Sequence, residues 1–482
     1  MLIKFYPYDF DYKVKEIENQ EIVYIYLYSK LEDNTKVCII QQYQPYFYAK
    51  INTPDKIEIL EIEKRFSNLT LDTDNKQHPA KVIKWEIRKK ELLGKIEEYW
   101  KIYVNYPKAV PLISQQIESW GIPTYEKDIL FVHRYLRDKN IIPMTLNQAE
   151  GEYYPLIDNP NNQNLDKLKV PLFLANKISP KKESEIKKLK ILSLDIETYN
   201  KDKFIDTEKN PILMIALYGT DENDQEFTKV LTWKKFDHDL LYLEHLNNEK
   251  EMILRFKEIF QEYQPDILTG YFSDGFDLPY INARAEKHKI KLDLGLDYSE
   301  LETGKKTEFR DNKCKIKGIL HLDMFQFIRN IFGKNLKTDS YSLDAVSSEL
   351  LQQNKHKVNL NNLAHSWDNP TTELKEYCEY NLHDAHLNLM LCKTLMPDMI
   401  EFCKIIGLPL FDLTRMKFSR LVESYILKRA IEYNILAPNR PEHSEIDQRT
   451  METFEGGFVY EPTPGLYSDI VVFDFKSLYP SI

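Results

Sequence analysis

The sequence predicts a multidomain chain of mixed α+β and α/β class: a β-rich N-terminal region, then a sheet covered by helices. Three observations predict it. At 482 residues the chain exceeds one compact core, so two to four domains are expected. With 43% hydrophobic and 12% aromatic residues it can build packed interiors. Its texture also changes at Lys190, from short β-type runs to strand-like runs alternating with helical stretches.

Residues 1–145 carry β-branched and aromatic runs at 22–28, 36–40 and 46–48, which suit strands. Val110, Ile113, Ile117 and Trp120 recur at helical spacing, with Pro111 fitting a first turn and Gly121 an end. The pattern weakens over the connector 146–190. There 158–162 is a turn cluster, and 179–185 reads as a charged linker in preference to a short helix. A second domain spans 146–395 including that connector, with strands at 191–196, 212–218 and 229–233 and helices at 249–263, 278–289 and 372–395. A helical segment follows at 396–437. Residues 438–482 then contain a glycine break at Glu455-Gly456-Gly457 and a final strand.

A net charge of −10 argues weakly against a nucleic-acid surface, although basic patches can sit on an acidic whole. Five cysteines without a CxxC pair argue against disulfides and zinc and for a reducing cytoplasm. No stretch approaches the roughly 18 apolar residues of a membrane span. The chain reads as soluble, with no membrane partner.

The sharpest local signal is Leu194-Asp195-Ile196-Glu197-Thr198. In a strand, alternate side chains share a face, so Asp195 and Glu197 project together while Leu194 and Ile196 point the other way. Adjacent carboxylates repel unless a cation sits between them, and oxygen ligands suit Mg²⁺ or Mn²⁺. Two solvated acids at a strand end satisfy the same pattern. In Tyr271-Phe272-Ser273-Asp274-Gly275-Phe276-Asp277, Asp277 falls at a loop-to-helix boundary and is alternatively an ordinary N-cap. In Tyr380-Asn381-Leu382-His383-Asp384, Tyr380 and Asp384 share a helix face, which an exposed pair would do equally.

Taken together and in this order, these three segments resemble the exonuclease motifs of family B DNA polymerases. His321-Leu322-Asp323 and Tyr341-Ser342-Leu343-Asp344-Ala345-Val346 resemble segments of the archaeal replicative enzymes. The resemblance implies a ribonuclease H-like 3′→5′ exonuclease domain in which Asp195, Glu197, Asp277 and Asp384 hold two Mg²⁺ (or Mn²⁺) ions and Tyr380 orients the attacking water. Two such ions about 4 Å apart suffice for in-line phosphodiester hydrolysis without a covalent nucleophile. Phe272 stands where the family usually has Asn, so altered contacts to the frayed strand are expected with hydrolysis retained. His383 reads as an incidental surface histidine.

Phe454, Gly456 and Gly457 lie in a segment resembling the family's template-contacting linker, with Phe454 where Tyr is usual. Residues 471–482 resemble polymerase motif A at the start of a palm domain, which implies that Asp474 binds metal and Tyr479 excludes a 2′-hydroxyl. Residues 1–145 resemble the archaeal template-binding domain. There Tyr12, Pro45, Tyr46, Pro107, Val110, Ile129, Phe131 and Arg134 fall on segments of a pocket that inspects template bases for uracil, while core packing is the alternative for each taken singly.

The expected function is the N-terminal, proofreading part of a family B DNA polymerase. Its expected partners are primer–template DNA, a single-stranded 3′ end and a C-terminal chain carrying the remaining palm, fingers and thumb; the resemblance also admits a sliding clamp. The expected location is cytoplasmic, at the nucleoid. A split gene, an intein junction and a truncation account equally for the end at Ile482. A free-standing exonuclease is disfavoured by Asp474 and Tyr479, and a non-catalytic scaffold by the intact set of acids.

Overall fold

The computed structural model describes all residues except 18–19, 74–78, 155–166, 182–186, 202–205, 305–312, 334, 339, 354–357, 370–372, 442, 453–459 and 475–482. They divide into two units, Met1–Pro438 and Asn439–Ile482.

The first unit begins with β1 (Leu2–Ile17), β2 (Gln20–Leu31), β3 (Lys36–Gln42), β4 (Tyr46–Lys50) and α1 (Lys56–Ser67). There follow β5 (Thr70–Leu71), β6 (Ala80–Leu92), β7 (Lys95–Val104), α2 (Ala109–Glu118), β8 (Thr124–Tyr125), α3 (Phe131–Asp138), β9 (Asn147–Tyr153) and β10 (Leu172–Pro180). Strands β1, β2, β3, β10 and β9 close a barrel, and β5, β6, β7, β4 and β8 form a separate sheet. The continuous apolar runs of β2 and β3 follow from burial on both faces. Ile25, Leu27, Val37 and Ile39 fill the barrel, whereas Tyr26, Tyr28, Cys38 and Ile40 face the core of the following sheet.

The 146–190 stretch is more than a connector. β9 pairs with Leu2–Phe5 of β1, and Leu172–Leu174 of β10 run parallel to Cys38–Ile40. Without them the barrel would leave two unpaired edges. Ser179 and Pro180 end β10; residues 158–162 and most of the charged 179–185 stretch lie outside the described residues. Gly151 sits opposite the β10 irregularity at Ala175, where an added Cβ would lie 2.0 Å from the Leu174 carbonyl oxygen. Gly151→Ala is therefore expected to lower stability by about 2 kcal/mol, since backbone cannot step aside as a side chain can. Urea denaturation checks this, and an unchanged midpoint would contradict it.

The chain continues through β11 (Ile191–Thr198), β12 (Ile212–Thr220), β13 (Glu226–Thr232), β14 (Leu243–His245), α4 (Glu249–Tyr263), β15 (Ile267–Gly270), α5 (Asp277–Lys287) and β16 (Leu320–Asp323). The helices α6 (Met324–Phe327), α7 (Leu343–Leu351), α8 (Leu363–Asp368), α9 (Glu373–Ile406), α10 (Leu410–Arg415) and α11 (Phe418–Glu432) complete the unit. The sheet order is β14-β13-β12-β11-β15-β16. β11 pairs antiparallel to β12 and parallel to β15, which is parallel to β16. This is the ribonuclease H-like arrangement expected from the motifs. Helix α4 starts where the Asn248 side chain accepts from Glu251 N and ends on Gln264 at φ 49°, so both ends are capped locally. Buried Asp266, at the foot of β15, accepts from Lys30 of the barrel and from Lys190 N, joining barrel to sheet.

The second unit contains α12 (His443–Met451). Val471, Val472 and Phe473 are exposed, Phe473 at 89%, and 471–474 form no strand among the described residues. The final strand expected there is thus absent over 471–474. A strand needs neighbours to bond its backbone, and this unit supplies none among the described residues. Asp474 is exposed, and Phe454, Gly456, Gly457 and Tyr479 lie outside the described residues. No described helix is long and apolar enough to cross a membrane.

Candidate nuclease site and base cleft

Strand β11 lies at the middle of its sheet and carries the first two acids. Leu194 and Ile196 are buried, whereas Asp195 and Glu197 are half-buried on the opposite face, as the period of two requires. The backbone between them reaches the third acid, because Ile196 N donates to Asp277 Oδ1 at 3.2 Å. Asp277 is the first residue of α5, and the cap position belongs to Phe276, so Asp277 is not an N-cap.

Helix α9 lies across β11 and brings Tyr380 and Asp384 to the site, both buried. The i, i+4 pair is thus no exposed helical pair. Asn381 Nδ2 donates to Asp195 Oδ2 at 2.6 Å. Two turns on, the buried Asn388 amide is hydrogen-bonded to Ser193 Oγ at 2.9 Å and Thr269 Oγ1 at 3.3 Å. These two amides fix the register of α9 on β11 and β15. Asn381 lies on the same buried face of α9 as Asp384 and Asn388. His383 sits half-buried with its ring 6.2 Å from that of His386.

The loop between β15 and α5 is held from beneath. Asp323 accepts from Phe272 N at 2.9 Å, Asp274 N at 3.0 Å and Phe325 N at 3.0 Å. Asp274 accepts from Cys314 N and from Arg415 Nε at 2.7 Å. His321 Nδ1 donates to the Cys314 carbonyl while Nε2 accepts from Ser273 Oγ, and burial pushes its pKa down to about 4, so it is neutral. Phe272 adopts φ +64°, a left-handed conformation costly for a bulky residue. Its ring covers Gly275, where a Cβ would lie 2.3 Å from the ring.

Electrostatically the site asks for a cation. Burial, with Asp323 and Asp384 nearby, pushes Asp277 up to about 7. Burial and Asp274 push Asp323 up to about 7. Burial works to raise the Asp274 carboxyl, but the Arg415 guanidinium and the Cys314 N–H hold it below its usual value. Among the described residues no Lys or Arg forms an ion pair with Asp277. As placed, no three acidic, histidine or cysteine side chains among the described residues converge closely enough to grip an ion. The donor chemistry nonetheless fits: hard carboxylate oxygens, one of them buried against its own charge, suit a divalent ion that brings them together.

The eight expected base-pocket residues do come together. Tyr12, Pro45, Tyr46, Pro107, Val110, Ile129, Phe131 and Arg134 all line one cleft of about 480 Å³, joined by Asp9, Lys315 and, at the start of α10, Pro409, Phe411 and Asp412. Buried Arg134 is held by Glu126 Oε2 at 2.9 Å and stacks 4.3 Å from the Tyr46 ring centroid. Tyr46 in turn donates to Asp138 Oδ2 at 2.8 Å, and Phe131 meets Tyr12 edge-on at 5.3 Å. His133 Nε2 meets Asp412 Oδ2 at 2.9 Å.

Asp9 in this wall has its carboxyl pushed up to about 6, chiefly by burial, with Lys315 and the Gly318 N–H opposing. Its folded value lies above its unfolded one, so its favourable contribution is complete below about pH 4 and lost as pH rises through 6. Asp9→Asn is expected to flatten the stability profile over that window by on the order of 3 kcal/mol. Urea titrations at pH 4.5 and 7.5 check this; equal slopes in both proteins would contradict it.

Residues 122–346 match the exonuclease domain of DNA polymerase family B, and residues 412–482 match the DNA polymerase family B model. A DNA polymerase of Pyrococcus glycovorans is 33% identical over 461 residues, 95% of this chain and 51% of that protein. One from Thermococcus gorgonarius is 32% identical over 462 residues, with the same coverage of each. The chain spans about half the length of these curated relatives. The family B DNA polymerase from the hyperthermophilic archaeon Pyrobaculum calidifontis shares the fold at a TM-score of 0.73 and 22% identity, over 97% of this chain and 54% of that one.

Proposed function

The chain belongs to DNA polymerase family B, and we propose that its first unit removes nucleotides from DNA 3′ ends at the site formed by Asp195, Glu197, Asp277 and Asp384. The observation that carries this is the junction of β11 and α5: two acids on one strand face, with the third acid bonded to the peptide between them. Divalent ions, Mg²⁺ or Mn²⁺, would supply the charge that activates water and stabilises the leaving 3′-oxygen. Of the chain's own groups, the four carboxylates would hold the ions, Asn381 fixes Asp195, and Tyr380 would orient the attacking water.

Asp474 and Tyr479 are proposed for the polymerase centre and Phe454, Gly456 and Gly457 for template contact, with synthesis requiring further palm, fingers and thumb elements. The proposed partner is primer–template DNA at the nucleoid, and a sliding clamp is the further partner that the family suggests. The test is incubation with a 5′-labelled primer–template and Mg²⁺, with and without nucleotides, beside Asp195→Ala. Shortening in both conditions, lost in the variant, supports the reading. Absence of shortening overturns it in favour of a DNA-binding scaffold.

For the cleft we propose recognition of a template base, with uracil as ligand, supported by the convergence of all eight expected residues. Val110→Gln, which fills the apolar wall, is expected to abolish any preference for a uracil-bearing strand over its thymine counterpart. Undiminished preference would overturn this.

A further inference from the structure

A second cavity, of about 280 Å³, opens at the C-terminal end of α3, between Arg137, Asp138, Asn140, Gly407, Lys428 and Glu432. Its notable occupant is Arg137. The residue is only 8% exposed, yet its Nε and Nη1 have no hydrogen-bond partner among the described residues. A buried guanidinium left so is costly, and such a charge is ordinarily paired.

The nearby acids are engaged elsewhere. Asp138 accepts from Tyr43 and Tyr46, Glu126 holds Arg134, Glu423 holds Arg420 and Glu432 holds Arg429. Lys428 Nζ donates to the carbonyls of Lys404 and Ile405 at the end of α9, adding positive charge at the cavity wall. Burial and Arg134 lower the Arg137 pKa to about 10 against the opposing pull of Glu126, Glu423 and Asp138, which leaves it cationic at neutral pH. The cavity reaches solvent past exposed Asp138, Asn140 and Glu432.

We propose that Arg137 marks a binding site for a phosphate group, gripped by its guanidinium and assisted by the Asn140 amide. A guanidinium N–H bonds a phosphate oxygen strongly because both partners are charged, and the remaining oxygens are left to water. The phosphate comes either free from solution or from the backbone of a bound DNA strand; the second source rests on the proposed function. It is attractive because α3 also presents Arg134 and Phe131, one and two turns earlier, to the base cleft.

Thermal unfolding is followed during titration with potassium phosphate, against potassium chloride at equal ionic strength. The expected result is a saturable rise in melting temperature specific to phosphate, absent in Arg137→Leu and reduced in Asn140→Ala. In parallel, the affinity for a single-stranded oligonucleotide is measured across salt concentrations. If the group is a DNA phosphate, Arg137→Leu reduces the slope of log affinity against log salt by about one. A lost phosphate shift with an unchanged slope assigns the site to free phosphate. A lowered slope without that shift assigns it to DNA alone.

The proposal is overturned if neither readout responds to Arg137→Leu, for then the guanidinium is merely hydrated. Should that variant not fold, the wild-type titration and Asn140→Ala decide: no phosphate-specific shift and an unchanged slope overturn it. Neither readout uses nuclease activity, so failure here is distinct from failure of the nuclease reading.

Discussion

Asp277→Asn is expected to lower Mg²⁺-dependent 3′-end hydrolysis by roughly 10³-fold or more, because an uncharged amide cannot replace a carboxylate facing divalent ions. The fold should survive. Asn keeps an oxygen for the Ile196 N–H, the one hydrogen bond that Asp277 accepts from β11. The ionised carboxylate is a burden to the ion-free protein, since burial, Asp323 and Asp384 push its pKa up to about 7. The folded value exceeds the unfolded one, so the group's favourable contribution is complete below about pH 4 and lost as pH rises through 7. With chelator present above pH 7, the variant should therefore melt at or above the wild-type temperature. Adding Mg²⁺ should raise the wild type more than the variant, by preferential binding to the folded state. Unchanged hydrolysis would remove Asp277 from the site, and a variant that melts early under chelation would make the carboxylate structural.

The parts of this site legible in the sequence were those with local periodicity. Asp195 and Glu197 follow from a strand's period of two, and Tyr380 with Asp384 from a helix's four-residue repeat. The cleft was legible only through resemblance, because its eight residues come from separate segments that spacing alone cannot unite. Barrel closure by β9 and β10 was hidden for a different reason. Gln148, Glu150 and Glu152 interrupt the apolar pattern, and the need to pair the edges of β1 and β3 is non-local. Helix α9 also runs unbroken past Leu395 into the stretch expected as a separate helical segment. Pro397 removes one backbone hydrogen bond, yet Met399, Ile400, Cys403 and Ile406 are buried beyond it, so packing carries the helix onward.

Arg415 was the least legible of the groups that shape the site, since its partner Asp274 lies 141 residues away. Arg415→Ala is expected to cost about 3–5 kcal/mol, the usual consequence of leaving one partner of a buried ion pair alone. The pair is enclosed, with Arg415 and Asp274 side chains 3% and 1% exposed. The guanidinium also donates to the Phe411 carbonyl and stacks 3.9 Å from that ring, contacts that the truncation removes as well. The loss should not stay in α10. Asp274 belongs to the loop whose N–H groups are gathered by Asp323, and that loop delivers Asp277 to β11. Nuclease turnover should therefore fall at temperatures where the variant is still folded. Combining Arg415→Met with Asp274→Asn removes both charges while keeping an acceptor for Cys314 N, and should recover most of the stability. Urea denaturation of Arg415→Met, Asp274→Asn and the double variant measures the coupling. A value near zero would mean that water already screens the pair, and that the loop is held by Asp323 alone.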